Sequence, residues 1–92
     1  MKRYSIALEE LDVPAAEPGR TLTFSVENHD DIFAIVDRLK LGKVVPAAEA
    51  AEFALGLKLF SEVVIRHRKE PMFSEMFSDI GQFIKRLKSE AR

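Results

Sequence analysis

The residues best suited to chemistry are His29, Asp30 and Asp31, which stand in one run after Asn28, and His67, which stands alone. An imidazole beside two carboxylates could serve as a general base or as half of a metal site. The same run also reads as a helix start. Asn28 is a favoured cap for the free N–H groups of a first turn, and Asp30 and Asp31 then fall where the helix dipole favours negative charge. That reading needs no ligand and is the simpler one. No HxxxH or HExxH spacing points to a metal, and no cofactor is expected. His67 falls on the apolar side of a long helix near its end. There a ring nitrogen bonded to a backbone carbonyl, and a charge suited to a helix C-terminus, account for it. A joint His29–His67 site requires two helix ends to meet, which antiparallel packing would allow. With no cysteine in the chain, disulfides, thiolate zinc sites and cysteine nucleophiles are all excluded. There is no G-x-S-x-G and no phosphate-cradling glycine loop.

A basic group forms the second candidate: Arg66, Arg68, Lys69, Lys85 and Arg86, with Lys88 and Arg92 beyond them. It could meet an acidic protein or nucleic acid. Each member lies near a helix C-terminus, where cations are favoured in any case. This accounts for most of the charge asymmetry: residues 1–37 carry a net −5 and residues 38–92 a net +4. A base-reading helix is not indicated. The long helix opens Ala47-Ala48-Glu49-Ala50, with no Arg, Asn or Gln placed to read base edges. The overall charge of −1 adds little attraction for nucleic acid.

Five elements must position these groups. Tyr4, Ile6 and Leu8 alternate with polar or small residues, as do Leu22, Phe24 and Val26, and each set predicts a strand with one wet face. Glu9-Glu10 interrupts the first alternation, where a bulge would fit. The loop between them carries Pro14, Pro18 and Gly19, so the strands form an antiparallel hairpin. Ile32, Ile35, Val36 and Leu39 follow at helical spacing, and Gly42 ends that helix as a left-handed residue. Pro46 to Glu70 reads as one long central helix. Ala50, Phe53, Leu57, Phe60 and Val64 share its apolar stripe, while Lys58, Ser61, Glu62, Arg66 and Arg68 gather on the opposite face. Gly56 predicts close approach of a neighbouring backbone, or a kink. After Pro71 a third helix runs to about Ser89, with Phe73, Met76, Phe77, Ile80, Ile84 and Leu87 on one face and Phe83 beside them. Ser78-Asp79 and Gly81 are the places where it could break. The order β-β-α-α-α predicts a single α+β domain.

Two stretches are familiar as strings. TFSVENHDDIFAIVDRLK at residues 23–40 and ALGLKLFSEVV at residues 54–64, with NHDDIF and GLKLFSEV at their centres, resemble a family of short bacterial proteins of unknown function. The resemblance runs from Tyr4 to about Leu87. It implies a small bacterial cytoplasmic domain, and it brings no catalytic residue with it.

Ninety-two residues, 47% hydrophobic and 32% charged, suffice for one domain with a modest core. No apolar run approaches the roughly 18 residues of a membrane span. Two strands alone are marginal in water and expose both edges, and the helices offer more apolar face than so short a chain covers easily. The expectation is therefore a non-catalytic interaction or accessory domain with a protein partner, a second copy of itself among the candidates. Small-molecule binding or catalysis through His29, Asp30, Asp31 and His67 stands as the alternative. Weak nucleic-acid binding through the basic helix ends stands behind it.

Overall fold

In a computed structural model that describes residues 1–91, β1 (Lys2–Glu9) and β2 (Thr21–Asn28) form a two-stranded antiparallel sheet. Tyr4 faces Val26, Ile6 faces Phe24 and Leu8 faces Leu22, so the alternating apolar residues of both strands share one face. Pairing is continuous from Lys2–Asn28 to Glu9–Thr21. No bulge interrupts it, and the Glu10 N–H extends the ladder to the Arg20 carbonyl at 2.8 Å.

Three helices follow: α1 (Ile32–Leu39), α2 (Ala50–Arg66) and α3 (Pro71–Glu90). The predicted order β-β-α-α-α and the α+β class are what the chain adopts. The boundaries differ in instructive ways. The cap of helix α1 lies three residues beyond the predicted one. Asp31, in extended backbone, is the N-cap, and its carboxylate accepts from the Ala34 N–H at 3.2 Å. Gly42 does adopt the left-handed conformation, with φ of 77°, and its N–H reaches the Leu39 carbonyl at 3.0 Å. The central helix opens with a 3₁₀ turn at Ala47–Glu49 and closes at Arg66. Residues 67–70 form a tight turn in which the Glu70 N–H returns to the His67 carbonyl at 2.9 Å. Glu70 is extended, as a residue before proline must be, and Pro71 opens α3, where its missing N–H costs nothing. Helix α3 then runs unbroken through Ser78, Asp79 and Gly81. Gly56 is exposed and has open space where a Cβ would stand. No backbone approaches it, contrary to the expectation from sequence.

Helices α1 and α3 both run antiparallel to α2. Leu39, at the end of α1, packs on Ala50 and Ala54 at the start of α2, where two small residues let the helices approach. Phe53 meets Phe83 with ring centroids 6.3 Å apart, and His67 meets Phe73 at 5.5 Å. The core is small: Leu39, Ala50 and Ala54, flanked by Ile35, Val36, Val44, Phe53 and Leu87. Replacing Gly42 by Ala should lower stability by about 1–2 kcal/mol, the cost of left-handed backbone for a residue with a Cβ. Gly81→Ala, in open helix interior, should raise it by about 0.5–1 kcal/mol. Urea unfolding followed by circular dichroism reads both.

Candidate functional site

Of the polar face assigned to α2 from sequence, Arg66 and Arg68 are exposed as expected, but Lys58, Ser61 and Glu62 do not lie in solvent. Ser61 and Glu62 are buried, and only 12% of the Lys58 side chain is exposed. What covers them is the junction between β2 and α1, residues 28–31. The physical reason is that this junction carries its own polar groups in complementary order. Asn28, itself buried, donates through Nδ2 to the Lys58 carbonyl at 3.0 Å. Its Oδ1 accepts from the Asp30 N–H at 3.1 Å, so the residue expected to cap a helix instead folds the turn before one. Ser61 donates to the same Lys58 carbonyl. The Lys58 ammonium pairs with the Asp30 carboxylate.

Glu62 makes the tightest connection. Its Oε1 accepts from the His29 backbone N–H at 3.0 Å, and both carboxylate oxygens lie 3.0 Å from the His29 Nδ1. Because an ionised carboxylate only accepts, Nδ1 carries the proton and Nε2 is left on the outer side of the ring. The His29 side chain is 64% exposed while that of Glu62 is 7% exposed. Tyr4 ties the other strand to the same place. Its hydroxyl donates to the Asp30 carbonyl at 2.9 Å and accepts from the Ile32 N–H at 3.0 Å, satisfying one of the free donors of the first turn of α1. Among the described residues, no buried side-chain polar atom lacks a partner.

The structure separates the four candidate residues. In the turn after β2, His29 faces Glu62 in the later half of α2. Asp30 and Asp31 line a different cleft with Arg38, Lys58 and Lys88, over an apolar floor that includes Leu39, Leu57 and Leu87. His67 pairs with Glu70 three residues on, a carboxylate rather than the expected carbonyl, and stacks on Phe73. It is absent from the lining of the His29 cleft. Of the basic group, Arg66, Arg68 and Lys69 stand at the α2–α3 turn. Lys85 and Arg86 stand on the later half of α3, where Arg86 pairs with Glu90. Arg92 lies outside the described residues. No group of three or more His, Asp or Glu side chains among the described residues is arranged to hold a metal.

Sequence reasoning missed Glu62, Lys58 and Tyr4. A signal existed: Lys58 and Glu62 stand one turn apart on α2, and Asp30 and His29 offer them a carboxylate and an imidazole in the reverse chain order. Asn28→Ala removes two hydrogen bonds of a buried amide and should cost about 2–3 kcal/mol. Asp31→Ala removes only an exposed cap and should cost about 1 kcal/mol. Chemical denaturation of the two variants checks that order.

A family model described as a domain of unknown function with a solved structure, DUF3861, matches residues 2–89. A crystal structure of a protein of unknown function from Pectobacterium atrosepticum SCRI1043 is similar throughout. It shares 34% identity over 96% of this chain and 97% of that one, with a TM-score of 0.80. Among curated proteins nothing matches. Matched along nearly its whole length by one family model, the chain belongs to the DUF3861 family.

Proposed function

We propose that this protein is a non-catalytic, cytoplasmic interaction domain that works as a homodimer, with a second copy covering apolar surface that the single chain leaves open. The observation that carries the reading is the excess of surface. The chain exposes 7277 Å², whereas a compact monomer of 10.4 kDa exposes about 5400 Å². Its radius of gyration is 15.7 Å, against about 12 Å for a compact domain of this length. The excess exceeds the roughly 800 Å² per partner of a standard interface.

The surplus is apolar and localised. Along the hairpin face, exposure rises from half-buried Tyr4, Ile6 and Val26 to Phe24 at 39%, Leu22 at 55% and Leu8 at 64%. The far half of the hairpin thus has no layer over it. On α2, Phe60 is 51% and Val63 38% exposed. Pairing of Phe53 with Phe83 and of His67 with Phe73 brings Phe60 to the level of Met76 and Phe77 on α3, both also exposed. Each chain therefore offers an uncovered apolar sheet face and an uncovered apolar helix seam. Hairpin of one copy on seam of the other, repeated by a two-fold axis, buries both and closes the assembly.

Charge supports a second copy over an unrelated partner. The far end of the hairpin holds Glu9, Glu10, Asp12 and Glu17 with Arg20 alone opposing them, and the helical part is net positive. The cytoplasmic setting follows the family resemblance. No described helix is long and apolar enough to cross a membrane.

Sedimentation equilibrium at tens of micromolar should return twice the chain mass. Phe60→Lys and Leu22→Lys, both at exposed positions, should each shift the population to monomer by at least tenfold in dissociation constant while the far-ultraviolet spectrum is kept. A monomer in the parent protein at these concentrations would contradict the proposal.

A further inference from the structure

A second surface lies on another side of α2, away from Phe60 and Val63. It is a cleft of about 510 Å³ lined by residues that include Glu27, His29, Glu62, Ile65, Arg66 and Arg68. Its floor is built. Glu62 is held by the His29 backbone N–H and holds the His29 ring in turn, which fixes both the tautomer and the ring's direction. The Nε2 edge is thereby left for something in the cleft. Two guanidinium groups stand beside it. Arg68 spends one N–H on the Ile65 carbonyl at 2.8 Å, which anchors the side chain and leaves its other donors available. The Arg66 side chain has no hydrogen-bond or ion-pair partner among the described residues. With Glu62 committed to His29, the remaining charged side chains of the lining are two arginines against the single carboxylate of Glu27, and the Met1 backbone ammonium also lies at the cleft.

We propose that this cleft binds an oxyanion group, phosphate or carboxylate, of a small molecule through the guanidinium groups of Arg66 and Arg68 and the Nε2 of His29. Planar guanidinium forks match the paired oxygens of either group. Phosphate has a further advantage. Its protonated oxygen donates to a neutral Nε2, and its ionised oxygens accept from a protonated one, so it suits either state of the ring. A carboxylate suits only the protonated ring.

The test uses the full chain, with inorganic phosphate and acetate as separate probes at constant ionic strength. Ring and backbone nitrogen shifts are followed by nuclear magnetic resonance. Saturable shifts at the His29 ring and at backbone amides of residues 25–29 and 62–68 are expected, with the His67 ring unmoved. Response to phosphate alone identifies a phosphate site, and response to both probes identifies a general oxyanion site. Replacing Arg66 and Arg68 together by Ala should weaken binding at least tenfold. Both are exposed, so the fold should be kept. Replacing Lys85 and Arg86 together should leave binding unchanged. Shifts that stay linear to tens of millimolar for both probes would overturn the proposal. So would equal loss in the Lys85/Arg86 variant, which would reduce the effect to general screening.

Discussion

Glu62 is a carboxylate almost wholly withdrawn from water in a domain with very little core to spare. A buried charge is tolerated only when its partners are in place, so its acceptance of both the backbone N–H and the ring of His29 constrains everything around it. The end of β2, the turn into α1 and the middle of α2 must take one relative position for those bonds to form. Lys58 on Asp30 and the Asn28 amide on the Lys58 carbonyl repeat the constraint one turn earlier on α2. Such a polar lock contributes little net stability compared with apolar packing of the same volume. It discriminates strongly against shifted arrangements, because a slip along α2 would leave two charges buried and unpaired.

The same lock explains why the molecule is open elsewhere. It uses the face of α2 turned towards the strand–helix junction, and α1 and α3 take the faces beside it. The remaining side, with Gly56, Phe60 and Val63, is left uncovered. Among the described residues, the hairpin bonds to the helices at its root, through Tyr4, Asn28 and His29, and its outer half is exposed. A chain of 92 residues that spends one helix face on polar contacts has too few apolar residues left to close over its own sheet. On the proposed reading, burial of the remainder falls to a second copy of the chain.

The elements themselves were legible in the sequence because each carries its own period and punctuation. Alternation in Tyr4–Leu8 and Thr21–Glu27, the Gly42 stop and the Pro71 start all act within a few residues. The site was harder to read. Asn28 has the side chain of a helix cap, and only the structure shows it serving a turn while Asp31 caps. Amphipathic reading of α2 assumes that polar means outward, and it fails where a second polar segment supplies partners. Phe60 and Glu62 exchange their expected environments for that reason. His29 was picked out correctly as chemically distinct, but its partner lies 33 residues away, beyond the reach of any local pattern.

The central claim is that the uncovered hairpin face of one chain packs on the uncovered helix seam of another. The most direct measurement is an isotope-filtered nuclear Overhauser experiment on an equal mixture of labelled and unlabelled protein. The account predicts intermolecular contacts from Leu8, Leu22 and Phe24 to Phe60, Val63 and Met76. A dimer whose intermolecular contacts lie elsewhere, or a sample with none at millimolar concentration, would contradict it.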